Sequence, residues 1–302
     1  MDKLNCYDAM IFSAGKLLLP PCDLHYYFLD AFSIKNYKGG THESIYNEIV
    51  KDDNDILKKY YGFCVQKKMV EDKTLLEKQI EEILLCQQKP IGIQMDSYYI
   101  PWNDLQFQMH RVHCFLITGI SNNNYICVDK FLTENKVYIE KDFLMNNVEF
   151  LFIFDYDEKF IKKYNLHDII LYIKSYVAIE HKNHIRKLSE FANKLADLIN
   201  ETTKRINRDS VEQSGLIFSI ANIEWSRKNF SNALKLAKEN FNTSLFDNII
   251  LLIDEIYVLW GKLKSIVIKS IIVDQYIIKA SQLIRTIADK ENKVMELIIN
   301  IN

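Results

Sequence analysis

The stretch HRVHCFLITGISNNNYICVDK, His110 to Lys130, decides how the rest of this chain is read. It opens on a histidine and runs through apolar Val112 to Ile120. It then turns at Ser121-Asn122-Asn123-Asn124 and returns through Tyr125 to Val128 into Asp129. Two apolar runs joined by a short polar loop have the pattern of a β-hairpin. Pairing across that loop brings His113, near the start of the first strand, toward Asp129 at the end of the second. A histidine oriented by a carboxylate supplies two of the three groups that activate a nucleophile, so the next question is where a nucleophile lies.

Cys6 is the candidate. Residues 6 to 18, CYDAMIFSAGKLL, place Ala9, Met10, Phe12, Ala14, Leu17 and Leu18 in a helix-like stripe entered directly from Cys6. Asn5 is suited to cap this helix, Asp8 falls in its first turn, and Pro20-Pro21 end it. At a helix start, unpaired backbone N–H groups and the macrodipole favour a thiolate, and also an oxyanion forming on a bound carbonyl. Each residue also has a plainer reading: Cys6 as an inert buried thiol, His113 as a histidine satisfied within the sheet, Asp129 as a turn residue. His110 competes with His113 for the role of base. Alternation along a strand points positions 110 and 113 to opposite faces, so only one of them can face Cys6.

Further elements follow from spacing. Asp23 to Phe32 suits a short second helix, Gly39-Gly40 a turn, and Thr41-His42-Glu43-Ser44 a cap for a helix from Ile45. Leu75, Leu76, Ile80, Ile83 and Leu84 recur at helical spacing between Asp72 and Gln87. After Pro90, IGIQMDSYYIPW starts as a strand and leaves Asp96, Tyr98, Tyr99 and Trp102 near its far end. Lys136 to Ile139 and Val148 to Phe154 are two more strand candidates. The expected class is α+β, with N-terminal helices and an antiparallel sheet followed by an all-helical half.

All cysteines and prolines lie in the first 130 residues, whereas the chain after Asp157 has no proline and only Gly215 and Gly261. That shift predicts two domains, 1–157 and 158–302. Amphipathic windows at Ile169–Ile179, Ile185–Ile206, Gly215–Arg227, Leu245–Leu263 and Ile277–Ile299 make the second a helical bundle for packing or docking. His181 and His184 lie one turn apart there without a third ligand, which predicts solvent-facing polar residues rather than a metal site.

A net charge of −2 over 302 residues supplies no basic field to hold nucleic acid or an anionic membrane surface. Neither a signal-peptide pattern nor an uncharged run of membrane-spanning length is present, so a cytoplasmic protein is expected. The 6 cysteines form no CxxC pair, which argues against structural zinc, and no glycine-rich phosphate loop points to a nucleotide. No metal and no cofactor are expected.

Three blocks, NCYDAMIFSAGKLL, PIGIQMDSYYIPW and HRVHCFLITGISNNNYICVDKF, carry a resemblance to the N-terminal domain of the butirosin biosynthesis protein H family. The resemblance covers roughly the first 155 residues. It implies a papain-like cysteine-protease fold in which Cys6 is the nucleophile, His113 the base and Asp129 the carboxylate that orients it. Asp96 and Tyr98 match the block preceding the histidine strand, with Asp96 lining or supporting the site. Papain-like peptidases usually carry a glutamine several residues before the cysteine as oxyanion donor, and Met1 to Asn5 hold none. The Cys6 backbone N–H, Asn5 and Gln94 are the alternatives.

By the same resemblance, the activity is acyl or peptidyl transfer from a carrier-protein thioester, presented on a phosphopantetheine arm, to a small amine. The implied setting is nonribosomal biosynthesis, of which a closthioamide-type polythioamide pathway is an example. A cysteine peptidase or amidase, and a non-catalytic binding protein on the same fold, are the other readings.

Overall fold

The computed structural model describes residues 4–32, 55–104, 106–108, 110–161, 164–205 and 214–301. The turn expected at Gly39-Gly40 and the cap expected at Thr41 to Ser44 lie outside these residues. The chain is α+β and divides into two compact units, Leu4–Leu24 with Ile49–Lys163 and His25–Glu48 with Tyr164–Asn302. The division differs from a single cut after residue 157, because His25–Glu48 joins the helical unit. Within it, Phe32 stacks on His184 at 5.7 Å and tilts against Phe230 at 5.3 Å, so this early segment finds its apolar partners far along the chain.

The sheet unit comprises α1 (Cys6–Leu18), α2 (Asp55–Tyr61), β1 (Phe63–Met69), α3 (Lys73–Glu81), β2 (Ile91–Asp96), β3 (Val112–Ser121), β4 (Asn124–Val128), β5 (Lys136–Glu140), α4 (Lys141–Asn147) and β6 (Val148–Tyr156). A π-helical turn, Glu82–Cys86, continues α3. The strands form one antiparallel sheet of order β1-β6-β2-β3-β4-β5 among the described residues. Strand β1 escapes a reading by alternation because only Phe63 and Val65 are buried before it runs into exposed Gln66 to Met69. The helix expected at Asp23 to Phe32 is a 3-10 turn over Leu24–Phe28.

Each face of the sheet carries a helix. On one, Ile91, Ile93, Met95, Phe115, Ile117, Tyr125 and Cys127 pack with Leu76, Ile80, Ile83 and Leu84 from α3 and its continuation. On the other lies α1, and Gly92 is what lets it approach: a Cβ there would lie 2.7 Å from Met10 Sδ and 2.8 Å from Phe152 Cβ. Tyr7 meets Phe152 edge-on at 5.4 Å. Met10 and Ile11 are almost wholly removed from water, each contributing about 1.5–3 kcal/mol to holding the helix down.

The β3–β4 hairpin forms as expected, with Asn122 at φ 52° in its turn. Asparagine tolerates this left-handed conformation because its short side chain can bond locally. Pairs from Ser121–Asn124 to Gly119–Ile126 keep one register, whereas Ile117–Cys127 and Leu116–Val128 are one residue out of it, with Thr118 as the extra residue. This β-bulge matters for the site. Side chains alternate along a strand, so a one-residue shift exchanges faces. An unbroken register would set Asp129 across from Leu116. The bulge sets it across from Phe115, on the face that His113 shares.

The helical unit consists of α5 (Leu166–Arg205), α6 (Gly215–Phe241), α7 (Asp247–Ile272) and α8 (Tyr276–Ile299), in which α5 packs on α8, α6 on α7 and α7 on α8. The window expected at Ile169–Ile179 and that expected at Ile185–Ile206, as far as Arg205, belong to one helix of 40 residues. His184 is not solvent-facing but buried, its Nε2 bonded to Glu291, and His181 bonds Asn292 at 2.7 Å. Glu291 also accepts Arg227 Nε at 2.7 Å, Arg227 Nη2 at 3.0 Å and Trp260 Nε1 at 2.8 Å. Periodicity alone misplaces His184, since an ionic cluster inside a bundle is built by residues from separate helices. Among the described residues, no helix is long and apolar enough to cross a membrane.

Candidate active site

Asn5 caps α1 as expected: its Oδ1 accepts the Asp8 backbone N–H at 2.8 Å, leaving Cys6 as the first helical residue. The cap satisfies one of the orphan donors at the helix start and uses the Asn5 carbonyl. Cys6 is 3% exposed, and Cys114 and His113 are the side chains that act on its thiol. These are successive residues of β3 and so lie on opposite faces of the sheet.

His113 Nε2 lies 2.7 Å from Asp129 Oδ2, and both side chains are buried. Nε2 is turned to Asp129, which leaves Nδ1 as the ring nitrogen without this partner. Asp129 stands at the close of β4 and is held from every side. Its Oδ2 also accepts Trp102 Nε1 at 2.8 Å, while Oδ1 accepts the backbone N–H groups of Phe131 and Leu132, each at 3.2 Å. The aspartate is thus both the turn residue of the plainer reading and the partner of His113. Phe115 and Phe131 flank the imidazole at 6.4 and 5.8 Å between centroids, and Trp102 meets Phe115 edge-on at 5.2 Å.

Burial opposes a charge on His113, but the Asp129 carboxylate outweighs it and raises the imidazole to about 10. Burial likewise pushes Asp129 up, and the His113 charge with the converging donors holds it below its usual range. The bond from Cys114 and the nearby His113 lower Cys6 well below an ordinary thiol, against the effect of burial. Cys114 moves the opposite way, held as a thiol by its bond to Cys6 and by burial. The two sulfurs are thus displaced in opposite directions, Cys6 down and Cys114 up. These directions favour a Cys6 thiolate beside a His113 imidazolium backed by the Asp129 carboxylate.

The other expected residues divide. Gln94 sits opposite Cys114 on β2, buried, with Nε2 donating to Glu149 Oε2 at 3.1 Å and Oε1 without a protein partner. One of its N–H groups is therefore engaged away from any oxyanion. Asp96 and Tyr98 build a second cluster. Asp96 Oδ2 pairs with His110 Nδ1 at 2.6 Å, and its Oδ1 accepts the Tyr98 and Arg111 N–H groups at 2.9 and 3.0 Å. Tyr98 stacks on His110 at 4.2 Å and meets Tyr99 and Phe107 edge-on. Asp96 thus shapes the turn before β3 and engages His110, which lies outside the strand because β3 begins at Val112. Alternation is not what separates the two histidines; each has its own carboxylate.

Cys114 and Trp102 are the residues that sequence reasoning missed in these roles. Cys114 directly follows the histidine, but hydrophobic patterning reads it as core. Trp102 reads only as an aromatic residue near the far end of a strand, and nothing in its spacing indicates that its N–H meets Asp129. Among the described residues, no group of three His, Cys, Asp or Glu side chains is placed to hold a metal ion. No protein-family model and no curated protein matches this sequence.

Proposed function

We propose that the sheet unit is a cysteine-dependent, ATP-independent acyltransferase of papain-like fold that forms an amide from a thioester and an amine. The observation that carries this reading is the buried His113–Asp129 pair, bonded at 2.7 Å, with the buried Cys6 thiol at the start of α1 among the groups that act on His113.

In the proposed reaction the Cys6 thiolate attacks the carbonyl carbon of an acyl or peptidyl thioester carried on the phosphopantetheine arm of a carrier protein. The tetrahedral oxyanion forms at the start of α1, where the Cys6 backbone N–H and the helix dipole favour negative charge. The carbonyl reforms, the carrier thiolate leaves, and the proton of His113 Nδ1 neutralises it. An amine then attacks the Cys6 acyl group while neutral His113 takes its proton. The Cys6 thiolate departs, the amide is complete, and the imidazolium is restored. Asp129 keeps the ring in one orientation and stabilises its charge throughout. Metal and cofactor have no part in this proposal. The resemblance to the butirosin biosynthesis protein H family supports the choice of donor and the nonribosomal setting, and a cytoplasmic location suits a nucleophile that must stay reduced.

The test supplies a panel of acylated carrier proteins with and without small amines, and follows protein and products by mass. The reading expects an acyl adduct on Cys6 that amines discharge to amide. Free acid dominating at saturating amine for every donor, or efficient cleavage of unactivated peptides, replaces it with a peptidase or amidase. No adduct from any donor replaces it with a binding protein.

A further inference from the structure

The four bonds to Asp129 fill the accepting capacity of a carboxylate. Two of the donors share Oδ2, His113 Nε2 at 2.7 Å and Trp102 Nε1 at 2.8 Å. His113 and Asp129 are buried, whereas Trp102 is half-buried and comes from outside the hairpin that carries them. We propose that Trp102 is a positioning residue for the His113–Asp129 pair, and that Ser97 to Arg111 form a strap, closed at its base by Asp96, that delivers it.

The sheet order shows what the strap has to do. It leaves β2 after Asp96 and re-enters the sheet at Val112, the first residue of β3. Trp102 nevertheless bonds at the close of β4, on the far side of β3 from β2. The segment therefore reaches past the start of β3, where His113 lies. Its base is tied, because Asp96 Oδ1 accepts the Tyr98 and Arg111 N–H groups and the Ser97 N–H donates to the Arg111 carbonyl at 2.7 Å. Between these ends, the backbone and side-chain N–H groups of Asn103 bond the Ile100 and Ser97 carbonyls, and the Phe107 N–H returns to the Tyr98 carbonyl at 2.9 Å. Phe107 stands at φ 60°, a conformation that a bulky residue adopts only where its surroundings hold it. These bonds leave the backbone at Trp102 little freedom.

The second donor on Oδ2 has a consequence for the histidine. With all its accepting sites filled, Asp129 has none left with which to turn toward water, and Oδ2 stays directed at His113 Nε2. Burial raises the Asp129 carboxyl, and the Trp102 bond is among those that, after His113, bring it below its usual range. Loss of the indole N–H leaves a buried carboxylate one partner short, which favours rotation of the carboxylate or entry of water. Asp96 acts on the pair only through the strap, since its hydrogen-bond partners are Tyr98, Arg111 and His110.

Its meaning for the reaction rests on His113 being the base proposed above, but the test uses no substrate, so acyl transfer can fail with the signals below intact. The full-length protein, labelled with nitrogen-15 at tryptophan and histidine, is followed by NMR at pH 7, with Trp102 and His113 assigned by substitution. In the wild type, the Trp102 indole N–H should exchange with water far more slowly than that of free tryptophan. Trp102→Phe keeps an aromatic ring and removes the donor. With near-UV circular dichroism confirming packing, it should move the His113 ring N–H signal upfield and speed its exchange about tenfold, the effect of losing one hydrogen bond to a charged group. Asp96→Ala should speed exchange at both Trp102 and His113 although it bonds neither, while His110→Ala, which leaves the Asp96 Oδ1 bonds in place, should leave both as in the wild type. A wild-type Trp102 indole that exchanges as fast as free tryptophan, or a folded Trp102→Phe protein with an unaltered His113 signal, overturns the positioning role. A folded Asp96→Ala protein with both signals unaltered overturns the strap.

Discussion

Replacing Asp129 by asparagine tests the electrostatics of the site at one atom. The wild-type carboxylate accepts from four donors, His113 Nε2, Trp102 Nε1 and the backbone N–H groups of Phe131 and Leu132. An asparagine amide has one oxygen, so either orientation turns its NH2 toward donors that previously had an acceptor. Each unsatisfied buried donor costs about 1–3 kcal/mol. The effect on His113 is larger. The aspartate is the main cause lifting the buried imidazole from its ordinary 6.5 to about 10, worth about 5 kcal/mol in favour of the imidazolium. Without the carboxylate, burial decides, and the ring is neutral at pH 7. Cys6 then loses the charge of the imidazolium. An ordinary thiol near 8.5 is about 3% ionised at pH 7, so iodoacetamide labelling of Cys6 should fall about 10- to 30-fold. Its rate should also climb steeply with pH, where the wild type is flat. The assay is labelling rate against pH, read by intact mass and site mapping, with near-UV circular dichroism to confirm packing. A folded Asp129→Asn protein that labels at the wild-type rate across neutral pH would refute the ion-pair account.

The wild-type pH profile has a fixed sign: labelling drops as acid protonates the lowered Cys6 thiolate, and acyl transfer drops as alkali removes the His113 proton near 10. Between the histidines, His113→Ala should abolish acyl transfer, whereas His110→Ala, which loses an exposed pair with Asp96, should stay within about twofold of wild type in steady-state assays. Gly92→Ala presses a methyl group onto Met10 and Phe152, so it should destabilise the fold by about 1–3 kcal/mol in urea titrations and slow Cys6 labelling by shifting α1. Glu291→Leu leaves the buried Arg227 unpaired and should cost about 3–5 kcal/mol by the same measure. Burial opposes the charge on Glu291, but Arg227 and His184 lower it to about 2 from its ordinary 4.5. That stabilisation is complete above pH 4.5 and disappears as pH falls through about 2, a loss of about 3 kcal/mol visible in acid denaturation.

Local signals accounted for much of the sheet unit. Helix α1 was legible because its apolar stripe, its Asn5 cap and the Pro20-Pro21 stop agree with one another. The β3–β4 hairpin was legible because apolar runs flank an asparagine turn. Strand β1 was not, since its exposed half carries no alternation. The join of the two windows in α5 was not, because a helix continues wherever nothing breaks it, and amphipathic windows mark only where it is covered. His184 was misplaced for a related reason: two histidines one turn apart share a helix face, but spacing does not say whether that face meets water or Glu291 and Arg227.

The sequence by itself determined the α+β order of elements, the helix that begins at Cys6, and the presence of a histidine and an aspartate on the arms of one hairpin. These follow from neighbours in the chain, where propensity, capping and alternation act over a few residues. The tertiary structure decided that the three meet. The Thr118 bulge turns Asp129 onto the face of His113, Gly92 lets α1 come down onto the sheet, and Trp102 completes the bonding of Asp129. Each of these depends on which surfaces close against one another once water is excluded. A buried ion pair is stable only where every donor and acceptor around it finds a partner, and those partners come from parts of the chain that local pattern does not connect.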